Sequence, residues 1–542
     1  MHYPTDTTTS YLFSLALLAV ALRALPLGEV CRDRSPERRR MTPFAPADLR
    51  AGQNGRMRNE VQLIAYADRL GGTLPGLAAI LDGPLAGLFG GVHVLPFFVP
   101  YDGADAGYDP VDHTRVDRRL GTWDDIAALG RSRDTVVDLI VNHVSAATAE
   151  FRQVVEQGDA APHAGMFLTF ERVFPAGATE SDLARIYRPR PGLPFTPGVL
   201  GDRPRLVWTT FTSRQIDIDV HHPDSRAYLT RILRQLAASG VAMVRLDAIG
   251  YAVKTAGSSC FLTPETDAFI KDLTKEVNAL GLGVLTEVHA PHRYAVELAD
   301  QVDRVYDFVL APLLLHALLT GDERPLRDWL ANRPHNTVTV LETHDGIAMV
   351  DAGPDYAAHR SGLLSAADLT ALATRISRNS DGTAVAVETA TGGLYRVDCT
   401  LYDALAGDDR RFLLARLIQF CTPGIPQVYY VGLLAGSNIA RVEADTDSRE
   451  INRRHYTAAQ VADALRRPVV AALTRLIRFR NGHPAFGGAF SLPPAPAGSL
   501  VLAWHAGADH VVLTARPGDG TFALSFTADG GDRAVTDVAD LP

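Results

Sequence analysis

The segment VAMVRLDAIG, residues 241–250, is apolar over its first four residues, carries Arg245 and Asp247 in its second half and stops at Gly250. A short apolar run without strict alternation is what a strand covered on both faces requires, and here the charged residues fall toward its carboxyl end. Three runs of the same kind precede it: VQLIAY (61–66), GVHVLPFF (91–98) and TVVDLIVNH (135–143). Four follow it: LGVLTEVHA (282–290), VDRVYDFVLA (302–311), TVTVLETHD (337–345) and IPQVYYVG (425–432). Helix-like stretches such as Asp224–Ser239 and Pro264–Leu280 lie between them. Eight β/α units predict an α/β fold, a TIM (β/α)8 barrel. A doubly wound sheet rarely needs eight such units, and no glycine-rich phosphate fingerprint follows the first run.

Two gaps are too long for simple crossovers. Residues 144–222 after the third run and 346–411 after the seventh read as inserted loop domains in a catalytic barrel spanning 58–482. The region 483–542 opens with the proline- and glycine-rich stretch Pro484–Pro496. It then gives SLVLAWHA, DHVVLTA and TFALSFTA, which predict a small antiparallel β domain. Residues 1–57 read as a dispensable extension. The apolar run Tyr11–Leu22 is twelve residues long, short of the roughly twenty that a membrane span needs. His2 and Asp6 precede it while the arginines follow it, the reverse of a signal peptide, and Met41 and Met57 offer later starts.

The 542 residues are 46 % hydrophobic and 21 % charged, an ordinary globular composition. A formal charge of -9 argues against a general nucleic-acid or anionic-membrane surface. The four cysteines, Cys31, Cys260, Cys399 and Cys421, are widely scattered. That spacing excludes a zinc ribbon or a disulfide scaffold and fits the cytoplasm. Only Lys254, Lys271 and Lys275 are lysines, a bias toward arginine that coding composition explains.

Four of the eight runs end in polar residues that a packed core would avoid: Asn142-His143, Arg245-x-Asp247, Glu287-x-His289 and Glu342-Thr343-His344-Asp345. A barrel carries its chemistry at the carboxyl ends of its strands. One acid there is most simply a cap or an ion-pair partner; acids on three strand ends, each beside Arg or His, point to a shared cavity. Carboxylates converging in one cavity separate their protonation states, which supplies the nucleophile and the acid of glycoside chemistry. A metal site is the competing reading, but no H-E-x-x-H or similar cluster occurs.

The segments VQLIAYADRLGG, GVHVLPFFVPYDGADAGYDPVDHTRVD, VDLIVNHVS, IYRPRPGLPFT, VRLDAIGY, TEVH, DRVYDF, ETHDGI, GIPQVYYVG and REINRRHY together resemble the sucrose phosphorylase group of the α-amylase superfamily. VNH, RLDA, TEVH and THD stand in the order of the four superfamily signatures, and DGADAGYDP and RPRPGLPFT narrow the match to this group. The resemblance implies that Asp247 is the nucleophile, Glu287 the general acid/base and Asp345 the carboxylate that stabilises the transition state. It implies that Arg245 pairs with Asp247, and that His143 and His344 bind hydroxyls of a glucosyl ring. Asp105 and Arg453 would grip the far end of that ring, while Tyr108, Phe211 and Tyr251 would wall the pocket. Arg190 is the candidate phosphate ligand, helped by Tyr395 and His289. The implied reaction is retaining phosphorolysis of sucrose to α-D-glucose 1-phosphate and fructose. Sucrose and inorganic phosphate would be the small-molecule partners, with no nucleic acid or membrane, and the protein a homodimer. Asn142 matches a calcium ligand of many α-amylases, but this group resembles them without needing calcium, so no metal or cofactor is expected.

Departures from the pattern fall in the loop Thr391–Val397. Leu394 and Tyr395 agree with it, but Gly393 stands in place of an acid and Arg396 in place of a glutamine, both of which contact the fructosyl unit in the group. A guanidinium there would suit an anionic leaving group, which keeps glucosylglycerate and sucrose 6′-phosphate, together with glucosylglycerol, as alternatives. A hydrolase or transglucosidase on the same fold, and a non-catalytic barrel, are the remaining rivals. The latter typically lacks the catalytic carboxylates that are present here.

Overall fold

The computed structural model describes residues 57–99, 106–189, 192–390, 392–439 and 447–542. Asp105, Arg190 and the extension up to residue 56 therefore lie outside the described residues. All eight expected runs are strands: β1 Gln62–Ala65, β2 Gly91–Val94, β3 Asp134–Ile140, β4 Met243–Asp247, β5 Gly283–Thr286, β6 Arg304–Asp307, β7 Thr337–Thr339 and β8 Ile425–Tyr429. They form one closed barrel in chain order, each parallel to its neighbours, with β1 joined to both β2 and β8. The carboxyl end of the sixth run, which read as part of the strand, is helical from Leu310, because Asp307 accepts the Leu310 backbone N–H at 3.1 Å and starts a new turn.

The helices between strands are defined by local signals. Pro223–Ala238 and Pro264–Ala279 each place proline in the first turn. Each is preceded by a side chain that accepts a first-turn N–H, His222 from Asp224 and Thr263 from Thr266. Each buries one apolar stripe, Tyr228, Leu229, Ile232, Leu233 and Leu236 in the first and Phe269, Ile270, Leu273 and Val277 in the second.

Residues 144–222 contain the helix Ala149–Gln157, which packs on the main core through Phe151 and Val154, and the hairpin Phe195–Leu200 with Arg203–Trp208, beside a small separate core of Leu168, Val173, Phe174, Ile186, Trp208 and Cys260. Within 346–411 a three-stranded sheet joins Ile347–Ala348, Leu394–Asp398 and Val385–Glu388. The carboxyl-terminal sheet has five antiparallel strands rather than the three read from the sequence: β9 Ala489–Ser491, β10 Leu500–Ala506, β11 Asp509–Arg516, β12 Thr521–Ala528 and β13 Gly531–Val535. The two extra strands are the edges. One is three residues long, and the other, GDRAV, is exposed over its first four residues, so neither shows an apolar pattern. Trp504 anchors this sheet to the barrel by donating its indole N–H to the Cys421 carbonyl at 2.7 Å. Among the described residues no helix is long and apolar enough to cross a membrane.

The interior of the barrel is polar along one line. His93 Nε2 lies 2.9 Å from Asp138 Oδ2, and its Nδ1 lies 3.3 Å from the Tyr306 hydroxyl. Tyr306 donates to Gln427 at 3.1 Å, and Gln427 donates to Gln62 at 2.8 Å. Outside the barrel, Asp307 at the end of β6 holds Arg333 Nε at 2.8 Å and Trp329 Nε1 at 3.0 Å, with both members of the ion pair fully buried. Removing one partner strands the other charge in the core. Asp307→Ala should cost about 3–5 kcal/mol, read as a lowered thermal unfolding midpoint; an unchanged midpoint would show that the pair is dispensable.

Candidate active site

The strand ends converge on a cavity of about 370 Å³. Its walls include Tyr108, His143, Phe211, Asp247, Tyr251, Glu287, His289, His344, Asp345, Tyr395 and Arg396. Residues drawn from 108 to 396 of the chain thus meet at the carboxyl end of one barrel. Arg245 and Arg453 stand just behind the wall, both buried. Leu394 is half-buried and packs against the core rather than lining the cavity.

Arg245 is the hub. It sits opposite Asp138 in the register of β4 against β3, and its Nη1 pairs with that carboxylate. Nη1 also lies 3.0 Å from Asp247 Oδ1 and 3.2 Å from the Tyr108 hydroxyl, and Nη2 lies 3.0 Å from Glu287 Oε1. The backbone between the two carboxylates is bent to suit them. Ala248 takes a left-handed φ of 52°, a conformation costly for a residue with a Cβ, and donates its N–H to Glu287 Oε2 at 3.1 Å. Burial and the adjacent Glu287 charge raise Asp247 well above the usual carboxylate range. Against its own burial, Glu287 is drawn down to about 2 by Arg245 and His289. Two acids on one guanidinium thus favour a single proton between them, on the Asp247 side.

Asp345 is treated differently. Arg449 Nη1 lies 2.7 Å and Arg453 Nη2 3.5 Å from its Oδ1, and His344 Nε2 lies 3.2 Å from Oδ2. Although burial opposes it, Arg449 and Arg453 hold Asp345 well below the ordinary range, so it is ionised. Burial lowers His344 to about 3, leaving a neutral ring that stacks on Tyr108 with centroids 5.1 Å apart. Among the described residues His344 Nδ1 has no hydrogen-bond partner. His143 Nε2 lies 2.9 Å from the Tyr108 carbonyl, and Phe211 meets its ring edge-on at 5.4 Å. Tyr251 packs between Phe211 and Phe261.

Sequence reasoning missed several participants. Arg449 was not singled out, although it lies in the same REINRRHY segment as Arg453. Asp138 was visible as an acid inside an apolar run. Gln215 reaches the cavity from the inserted segment, where its amide lies 3.1 Å from His143 Nε2. Glu342, one of the strand-end acids, borders the cavity but commits its carboxylate elsewhere. Its carboxylate binds Arg416 and the Leu401 N–H, a structural role. Lys254 Nζ lies 2.7 Å from Asn142 Oδ1 and 2.7 Å from Asp217 Oδ2, so a protein cation fills the space between these acceptors. Among the described residues no group of three acidic, histidine or cysteine side chains could hold a metal ion.

Residues 55–311 match the α-amylase catalytic domain. The chain is 51 % identical over 458 residues to a sucrose phosphorylase of Agrobacterium vitis, covering 83 % of this chain and 93 % of that protein. It is 48 % identical over 467 residues to a sucrose phosphorylase of Bifidobacterium adolescentis, covering 85 % and 93 %. Its structure superposes on that of a sucrose 6F-phosphate phosphorylase from Thermoanaerobacter thermosaccharolyticum with a TM-score of 0.82 at 32 % identity, covering 89 % of this chain and 99 % of the other.

Lys254→Met would leave the fully buried Asp217 carboxylate without its cation. The expected cost is about 3–5 kcal/mol, seen as a lower thermal midpoint than wild type. Equal midpoints would show that Thr210 and Asn142 alone satisfy Asp217.

Proposed function

The chain belongs to the α-amylase family, in the group that contains the sucrose phosphorylases, and on that premise we propose that it catalyses the reversible phosphorolysis of sucrose to α-D-glucose 1-phosphate and fructose. One observation carries the chemistry: Asp247 and Glu287 share Arg245 at a pocket whose third carboxylate, Asp345, is separately ionised. Sharing a guanidinium keeps the two acids close, as a double displacement needs. Sucrose entering the pocket displaces water and sets its glycosidic oxygen against Glu287, which draws the shared proton there and frees Asp247 as the nucleophile. Asp247 attacks the anomeric carbon while Glu287 protonates the departing fructosyl oxygen. Phosphate then attacks the β-glucosyl ester, the bond to Asp247 breaks, and Glu287 takes the proton that phosphate releases. Asp345 faces the positive charge that develops on the ring. His143, His344, Arg453 and Asp105 hold the glucosyl hydroxyls, Tyr108, Phe211 and Tyr251 wall the ring, and Arg190 takes phosphate together with Tyr395 and His289.

The acceptor side bears on substrate choice. Arg396 Nε is held 2.7 Å from the fully buried Asp398, whose other oxygen accepts the Ser448 hydroxyl at 2.5 Å. This pairing offsets most of the added positive charge, which favours neutral fructose as leaving group. The second reading, an anionic leaving group, rests on Arg396 being part of the cavity wall. The same family reading supports a homodimer, and the scattered cysteines support a cytoplasmic location. Residues 144–222 and 346–411 are then loop insertions of a catalytic barrel spanning 58–482, followed by a β domain from 483.

Asp247→Asn should abolish turnover, because an amide cannot form the covalent intermediate. Glu287→Gln should lose sucrose cleavage while still reacting with α-glucosyl fluoride, whose leaving group needs no proton. Equal losses on both donors would reverse the acid/base assignment. Acceptor preference is tested by comparing phosphorolysis of sucrose, sucrose 6′-phosphate, glucosylglycerate and glucosylglycerol by wild type and Arg396→Gln. Sucrose should be fastest for wild type. An anionic substrate preferred by wild type and not by the variant would overturn sucrose and leave the phosphorylase reading standing.

A further inference from the structure

Phosphate must approach a carbon flanked by carboxylates. Once the glucosyl ester has formed, Asp247 is neutral, but Glu287 is a carboxylate and repels an incoming phosphate dianion. A cation beside Glu287 on the acceptor side would remove that obstacle. Arg245 is buried behind the wall and already pairs with Asp138, and Arg449 and Arg453 face Asp345.

His289 is placed to serve. Its Nε2 lies 3.5 Å from Glu287 Oε1, its ring stacks on Phe308 with centroids 4.1 Å apart, and Tyr395 meets it edge-on at 5.6 Å. Its other nitrogen, Nδ1, lies 3.3 Å from Asp351 Oδ2. Asp351 is 3 % exposed, sits on the single turn Val350–Ala352 that follows β7, and uses its other oxygen to accept the Ala290 N–H at 3.3 Å. Both of its oxygens are therefore turned onto the 289–290 backbone and ring.

We propose that Asp351 is a positioning residue for the phosphate step: it fixes the His289 ring with both N–H groups donating, one to Asp351 and one toward Glu287, so that a permanent imidazolium stands where phosphate enters. This proposal rests on the phosphorylase reading above. The charged and titratable groups that face the ring are Glu287 on its own strand end, Asp351 on the turn after β7 and Tyr395 on the acceptor strand. Phe308, from the segment after β6, offers only an aromatic face. Against the burial that would lower it, the hydrogen bonds from His289 to Asp351 and Glu287 raise the imidazolium from 6.5 to about 10. A group raised in this way keeps its charge through the neutral range and loses it only as pH climbs through the raised value. Without Asp351, one carboxylate remains, burial pulls the other way, and the charge is lost near neutrality.

The test is the pH dependence of kcat/KM for phosphate, with sucrose as donor, in wild type, Asp351→Asn, Asp351→Glu, His289→Asn and the double variant. Free glucose from hydrolysis is measured alongside. Wild type should hold its phosphate kcat/KM from pH 6 to pH 8. Asp351→Asn should approach wild type at pH 6 and fall roughly tenfold by pH 8, as expected when the ring titrates near 7. Hydrolysis should fall less, so the ratio of glucose to glucose 1-phosphate rises. Asp351→Glu should restore the flat profile in part, and Asp351→Asn should add nothing to His289→Asn. An Asp351→Asn profile parallel to wild type, or additive effects in the double variant, overturns the proposal. Should Asp351→Asn not fold, His289→Asn decides: phosphate kcat/KM and hydrolysis falling equally overturns it, and a selective loss with phosphate sustains it. Wild type that yields no glucose 1-phosphate would instead sink the phosphorylase reading itself.

Discussion

One buried guanidinium organises the active site. Arg245 is 2 % exposed and faces Asp138, Asp247, Glu287 and the Tyr108 hydroxyl at once. A cation this deep is tolerable only when acceptors surround it, and the barrel supplies them through its register. Asp138 is the neighbour of Arg245 on β3, two residues before Ile140, the register partner of Asp247. A slip of one residue between these strands would turn Asp138 to the opposite face and leave the guanidinium unmatched. The line from Asp138 through His93, Tyr306 and Gln427 to Gln62 extends the same requirement across the barrel interior, since each buried polar group obliges another strand to provide a partner.

The consequence is electrostatic. Asp247 and Glu287 share the Arg245 guanidinium, whereas Asp345 has two other arginines within ion-pair distance, so the three acids are held in different protonation states. The first two form a pair with a movable proton, and the third is a fixed negative charge. Family membership explains why such residues occur together. The arrangement of their counter-ions is what makes them unequal, and it is built by segments far apart in sequence.

That distance sets what could be read in advance. The eight strands were legible because parallel strands buried on both faces must be apolar nearly throughout, and Asp247, Glu287 and Asp345 stood out because they break those runs at the catalytic end. Arg449 was not legible. It lies in a short turn far along the chain from Asp345, in a protein where almost every basic residue is arginine and none is conspicuous. Asp351 and Lys254 were hidden for a related reason: each is an ordinary residue in a loop until the fold brings Ala290 or Asp217 against it. The edge strands β9 and β13 were missed because an edge exposed to solvent carries no apolar signal.

The acceptor half of the pocket follows a different rule from the glucosyl half. On the side that the proposed function gives to the glucosyl ring, the described cations each have an acid at the cavity within reach: Arg245 has Asp247, and Arg449 and Arg453 have Asp345. Such pairs fix positions and leave little net charge, which suits a neutral ring bound by its hydroxyls. On the acceptor side the acids stand behind the cations, as Asp398 behind Arg396 and Asp351 behind His289, with the basic groups toward the cavity. Charge at short range then outweighs charge at long range. Under the proposed function, an entering anion meets the His289 imidazole first and Asp351 second, while fructose, leaving by the same route, meets hydrogen-bond donors. One wall can therefore release a neutral sugar and admit phosphate in its place.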